Sequence, residues 1–151
     1  MNVYLDSSFV IRRLLGVGRP AAFWGKWEKA FASTLMRTEC VRAANRLRLS
    51  GKLDDAARAR LGSWIETVCG AVTQVPVTDE ILRRAGEAYP VDVGTLQAIH
   101  LATMQELEAV RGVKCVLASD DAGLVQAAVA LGFSEAVEGP SPEAAAAEAA
   151  S

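Results

Sequence analysis

The chain has 151 residues, 51% of them hydrophobic, which is about one domain's worth of sequence with enough apolar side chain to bury a core. Its 16 Lys and Arg nearly balance its 18 Asp and Glu, so no overall positive field draws it onto nucleic acid, and any such binding needs a local patch. No apolar run reaches the roughly 18 to 20 residues of a membrane span, and the start lacks a basic segment followed by a cleavable apolar one. The expectation is a cytoplasmic protein with no membrane partner.

In chain order, Val3 to Leu5 is a short strand, and "SSFVIRRLLG" is a helix with Ser7 as its N-cap and Gly16 as its end. After a "GVGRP" loop, "AAFWGKWEKA" predicts a second short helix, "FAST" a strand and "LMRTECVRAANRLRLSG" a longer helix closed by Gly51. "DDAARARLGSWIETV" is helical, "AVTQVPV" is a strand, and "TDEILRRAGEAY" is a helix capped by Thr78 or Asp79. "TLQAIHLATMQELEAV", apolar on most sides in its first half, predicts a central buried helix. "VKCVLAS" is then a strand, "DDAGLVQAAVALG" a helix and "FSEAVEG" an edge strand. Strands alternating with helices predict one α/β domain over residues 1–137 with a mainly parallel central sheet flanked by helices. Residues 138–151, "PSPEAAAAEAAS" included, are a low-complexity tail expected to be disordered.

Cys40, Cys69 and Cys115 are odd in number and far apart, and His100 is the only histidine. That pattern offers no structural zinc site, and the thiols fit as small buried apolar groups in a reducing compartment.

In an open parallel sheet, ligands bind outside the carboxyl ends of the strands. Asp6 ends the first strand, and Asp120 and Asp121 end "VKCVLAS". Each acid is equally suited to capping the helix that follows it. Glu39 is different, because it lies roughly 60° from the centre of the apolar face formed by Met36, Cys40, Ala43 and Leu47 on a helical wheel. A glutamate at the border of a core needs either an ion pair, here with Arg42 or Arg46, or a bound cation. Carboxylates gathered from distant parts of a chain repel one another, and a hard divalent cation such as magnesium or manganese removes that repulsion. Such a site activates water against a phosphodiester.

Four segments carry a family resemblance. "VYLDSSFVIRRLL" resembles the opening of PIN-domain proteins, "TLMRTECVRAANRL" their second segment with its helical Glu, "LQAIHLATM" their central helix, and "VLASDDAGLVQAAVALGF" their close, in the right order over residues 1–137. Size and pattern are most similar to VapC toxins, the ribonucleases of bacterial toxin–antitoxin pairs. That resemblance implies a Mg2+- or Mn2+-dependent endoribonuclease acting on RNA, usually a homodimer, silenced by a VapB-type antitoxin. It implies Asp6 and Glu39 as metal-site acids, Ser8 as the nearby hydroxyl and Ser119 in the place of the family's Thr. It implies Asp121 as the last acid, with Asp120 in its place if the helix is shifted by one.

The sequence departs from the pattern at Gln97, where the family has its third acid, directly before Ala98. A glutamine amide can ligate a cation or hold a water, but it brings no charge. Asp92 could stand in only if the "VDVG" loop folds back. Gln97 also fits as a neutral core residue on one face with Leu101 and Met104, and His100 fits a structural position with no catalytic role. RNA phosphates would meet Arg37, Arg42, Arg46, Arg48 and Lys52 along the Glu39 helix and its exit, and Arg12 and Arg13 after the first acid. Phe23, Trp24 and Trp27 are candidates for contact with the antitoxin, and with Trp64 the tryptophans fit packing better than base stacking. The alternative to the nuclease is a degenerate PIN domain that binds RNA or antitoxin but has lost cleavage at Gln97. A receiver-like α/β domain is a lesser alternative, since no suitable Lys or middle-strand acceptor Asp is evident.

Overall fold

The computed structural model of the chain describes residues 1–18 and 22–136. The expected tail, the loop residues 19–21 and the end of the last predicted strand lie outside the described residues. The elements are β1 (Asn2–Leu5), α1 (Ser7–Leu14), β2 (Lys29–Ser33), α2 (Leu35–Leu49), α3 (Asp55–Ala71) and β3 (Thr73–Val75). They continue with α4 (Asp79–Ala85), α5 (Thr95–Arg111), β4 (Val116–Ala118), α6 (Ala122–Ala130) and β5 (Ser134–Glu135).

Side chains alternate across a strand, so a strand covered on both faces must be apolar throughout. The central strand meets that demand. Val3 and Leu5 point into one core with Phe9, Val10, Met36, Ile65 and other residues of α1 to α3. Tyr4 points into the other, with Leu117 of β4 and Leu101, Met104, Leu124 and other residues of α4 to α6. The sheet is wholly parallel, in the order β3-β2-β1-β4-β5. Helices on both faces make an α/β three-layer domain, as the alternating pattern predicts.

The strand order reverses direction at β1, because the chain moves outward through β2 and β3 and then returns to β4 on the other side. A crevice opens at such a switch point, beyond the carboxyl ends of the strands. Register decides what fills it. Leu5 pairs with Ala118, so the next residues along, Asp6 and Ser119, emerge side by side.

Two local expectations need correction. The segment "AAFWGKWEKA" is not a helix: residues 22–25 form turns, Gly25 adopts a left-handed backbone at φ 74°, and Lys29 and Ala30 already belong to β2. A left-handed residue ends helical hydrogen bonding, and glycine adopts it at no steric cost. Phe23, Trp24 and Trp27 instead pack half-buried against the first core, Phe23 stacked on Phe9 at 5.5 Å and Trp24 edge-on to Trp27 at 5.3 Å. The second correction is the start of α1, which is capped by Asp6 and not by Ser7: the Asp6 carboxylate accepts the Ser8 N–H. Thr78 caps α4. All three cysteines are buried free thiols, as expected, with burial pushing Cys40 up to about 12 and Cys115 up to about 11.

Because Leu117 is fully buried in the second core, Leu117→Ala should lower unfolding free energy by about 2–5 kcal/mol. Leu49→Ala, at a position 77% exposed, should change it by less than about 0.5 kcal/mol. Urea denaturation of both variants checks the placement of the core.

Candidate active site

Asp6 leaves β1 at the switch point and is held there by its surroundings. Its backbone N–H donates to the Ala118 carbonyl at 3.0 Å, tying the end of β1 to β4. Its Oδ2 accepts from the Ser8 N–H, the Ser8 hydroxyl and the Ser119 hydroxyl, the last at 2.9 Å. Oδ1 is turned the other way, 3.6 Å from His100 Nε2. The two serines are fixed in turn, because the Asp120 N–H donates to Ser8 Oγ and the Asp121 N–H donates to Ser119 Oγ, each at 3.0 Å. The β1 and β4 ends thus cross-brace one carboxylate that is 95% buried (relative exposure 5%).

Glu39 reaches the same place from α2. Its helix buries Met36, Cys40 and Ala44, which leaves Glu39 at the edge of the buried stripe and aimed at the crevice. His100 arrives from the buried first half of α5. Its Nε2 lies 3.0 Å from Glu39 Oε1, and its Nδ1 lies 2.9 Å from the Tyr4 hydroxyl. Both ring nitrogens are therefore occupied. Nε2 donates to Glu39, and the Tyr4 hydroxyl serves Nδ1 as donor when the ring is neutral or as acceptor when it is charged.

The electrostatics follow from this contact. Burial opposes charge on His100, but the Glu39 hydrogen bond and charge, with Asp6 and Asp121 beyond, outweigh it and raise the imidazole above its ordinary value. Burial works to raise Glu39, yet the hydrogen bond and charge of His100 hold its carboxyl below the usual range. A side-chain hydrogen bond from Ser7 to the carboxyl adds to that pull, while Oε2 itself is buried with no hydrogen-bond partner among the described residues. Burial pushes the Tyr4 hydroxyl far up, so it keeps its proton.

Asp121 caps α6, its Oδ1 accepting the Gly123 and Leu124 N–H groups at 2.9 and 3.1 Å. Both of its oxygens also accept from Gln97 Nε2, at 3.0 and 2.9 Å. Burial works to raise this carboxyl, but the Gln97 hydrogen bond and the two helix amides outweigh it and hold it low. Gln97 is half-buried with its hydrogen bonds satisfied.

Asp6, Ser8, Glu39, Gln97 and Asp121 line one cleft of about 320 Å3, with Arg42 and Arg46 on its wall. Ser119 supports it from beneath. Asp120 faces the other way: it pairs with Arg12 and borders a separate hollow that contains neither Asp6 nor Glu39. Asp92 is exposed and does not line the cleft. Arg37 is engaged with Glu66, and Arg48 pairs with Asp55. Among the described residues, ligand atoms of Asp6, Glu39 and His100 lie within 4.8 Å of one another, and Asp121 does not join that group. Sequence reasoning left His100 without a role at the site. Its one available signal was the spacing Gln97 to His100, which puts both on one helix face.

A parallel α/β sheet with carboxylates gathered at its switch point defines a protein whose crevice is lined by acids. No family model matches the chain, and no curated protein matches it in sequence. Solved structures do. VapC20 of Mycobacterium tuberculosis, a sarcin–ricin-loop-cleaving toxin, superposes with a TM-score of 0.61 at 18% identity over 91% of this chain and 99% of that one. A chain of a toxin–antitoxin complex from Klebsiella pneumoniae gives 0.54 at 15% identity, covering 79% of this chain and 86% of that one. PAE2754 from Pyrobaculum aerophilum gives 0.50 at 20% identity, covering 82% and 78%. The chain has a PIN-domain fold of the VapC type, in agreement with the resemblance read from its motifs.

The lone histidine offers a direct test. In the metal-free protein its single imidazole Hε1 resonance should titrate above pH 6.5, and Glu39→Gln should lower that midpoint. A raised His100 stabilises the fold fully below 6.5 and loses that contribution as the pH rises through its folded value. A lowered Glu39 contributes above 4.5 and loses its share as the pH falls through its own folded value. The pair should therefore support the fold most between pH 4.5 and 6.5.

Proposed function

We propose that this protein is a divalent-metal-dependent endoribonuclease of the VapC toxin type, acting on RNA phosphodiesters. The observation that carries the reading is the Glu39 carboxylate. Its Oε2 is buried without a donor, beside Asp6 in a cleft at the sheet's switch point. An anionic oxygen withdrawn from water and given no hydrogen bond is unfavourable unless a cation meets it. Oxygen ligands of this kind suit magnesium or manganese, which Asp6 and Glu39 would hold. A bound ion of this type supplies a low-pKa water and Lewis acidity toward a phosphoryl oxygen.

The chain's own groups do the rest. Ser8 and Ser119 anchor Asp6 Oδ2, so that Oδ1 is left outside the cap, 3.6 Å from His100 Nε2. His100 fixes Glu39 through Oε1, and Oε2 is left buried without a hydrogen bond among the described residues. Arg42 and Arg46 stand on the wall, and Arg46 continues with Arg12 and Lys52 into an adjoining groove of about 460 Å3 between α1 and α2. A strand of RNA lying in that groove would place its phosphates against guanidinium groups and one of its linkages over the acids.

The same reading includes a VapB-type antitoxin partner, a homodimer and a cytoplasmic setting. Its antitoxin part is supported by the likeness to a chain of a toxin–antitoxin complex. Phe23, Trp24 and Trp27, half-exposed beside α1, are the apolar groups that an antitoxin segment would cover. Among the described residues, no helix is long and apolar enough to cross a membrane.

The purified full chain should cut a mixed RNA pool in magnesium or manganese, and Asp6→Asn should lower the rate by at least about a hundredfold. A cutting rate equal in the two proteins, or unchanged by EDTA, would sink the reading. Arg46→Ala should weaken RNA binding evenly across sequences and reduce the slope of log affinity against log salt by about 1. That slope is measured by fluorescence anisotropy with Asp6→Asn as the non-cutting background.

A further inference from the structure

Gln97 carries no charge, yet both ends of its amide are committed. Oε1 accepts the Gly94 N–H at 2.8 Å, closing the first turn of α5, and Nε2 donates to both oxygens of Asp121. The partners settle which end is which, because an N–H meets one end and a carboxylate the other. Residue 123 has to be small for this to occur, since a Cβ on Gly123 would lie 2.9 Å from Gln97 Nε2.

The cleft therefore holds two carboxylates in opposite states. Asp121 Oδ1 accepts two helix amides and Gln97, and Oδ2 accepts Gln97. Glu39 Oε2 accepts nothing. A cation gains most where no donor has to be given up. Ligation by Asp121 would bring the ion against the Gln97 N–H group that already points at both oxygens, and would compete with the cap of α6. Ligation by Glu39 displaces no donor from Oε2. The 4.8 Å grouping of Asp6, Glu39 and His100, without Asp121, runs the same way.

We infer that Gln97 is a positioning residue that keeps Asp121 out of metal ligation, so that the cleft takes a single divalent cation, on Asp6 and Glu39. The inference rests on the proposed metal site and adds its stoichiometry and the division of labour among its acids. Asp121 organises the start of α6 and the wall of the cleft. An acid at position 97 would reverse the arrangement, because two facing carboxylates in place of a hydrogen-bonded pair create a second demand for positive charge.

The test is a Mn2+ titration of the full chain, with free ion followed by electron paramagnetic resonance and folding of each variant checked by thermal melting. The wild-type protein should bind one ion. Asp6→Asn and Glu39→Gln should weaken it by more than about tenfold, and Asp121→Asn should leave it within about threefold. Gln97→Glu has the same length and keeps an acceptor for Gly94, and it should bind a second ion that is lost when Asp121→Asn is added. The inference is overturned if the wild-type chain binds two ions or none, or if Asp121→Asn alone weakens binding tenfold. RNA cleavage by the same samples judges the ribonuclease reading separately. One ion without cutting removes that reading and keeps the inference, whereas cutting with two ions or with Asp121-dependent binding removes the inference alone.

Discussion

Like charges resist being gathered, and gathering them is what this fold does. The central strand ends in Asp6, α2 delivers Glu39, and both lose most of their hydration as the helices close over them. At short range in a partly desolvated crevice their repulsion is far larger than in water. The fold answers it from within. His100, on the most deeply buried helix, sets one nitrogen against Glu39 and within 3.6 Å of Asp6, and the Tyr4 hydroxyl holds the other nitrogen. A histidine raised toward its charged form is an internal counter-ion. It permits the two acids to be placed side by side with no ion between them.

The arrangement depends on β1 more than on any other element. Four residues supply apolar packing to both layers, the hydroxyl that orients His100 and the strand end from which Asp6 emerges. Their alternation makes these duties separable. Val3 and Leu5 anchor one face, Tyr4 reaches through the other toward α5, and register with β4 sets Asp6 against Ser119. A slip of one residue would exchange the faces, sending Tyr4 into the wrong core and removing the hydroxyl from His100. Sheet register and site chemistry are thus one constraint.

Much of this was legible because it is local. Alternating periods give the order of strands and helices, and an acid at a strand end gives the crevice. The border position of Glu39 on its helix signals an unusual carboxylate. The failures are equally physical. "AAFWGKWEKA" has helical composition, but Gly25 in a left-handed conformation and the pull of the aromatic rings onto the core decide against a helix. That outcome is tertiary and leaves no local mark. A helix cap and a metal role do not exclude one another at Asp6. In the structure the cap uses Oδ2 and leaves Oδ1 free of the cap, 3.6 Å from His100 Nε2, so one side chain has an oxygen for each use. The contacts of His100 with Glu39, 61 residues away, and of Gln97 with Asp121, 24 residues away, depend on which helices pack together.

Gln97 changes the charge of the cleft as well as its hydrogen bonds. Three carboxylates and one raised histidine leave the site less negative than a fourth acid would make it, and under the proposed ribonuclease reading every negative charge there would also repel the phosphates of RNA. A lower charge weakens cation capture but eases the approach of a polyanion, for which Arg42 and Arg46 already stand on the wall. The N-termini of α1 and α6 open on Asp6 and Asp121, whose carboxylates already take up first-turn amides of both helices. On the proposed ribonuclease reading, substrate attraction would rest on the rim arginines, and the Gln97 amide would spare the cleft one charge that a second cation would otherwise have to neutralise.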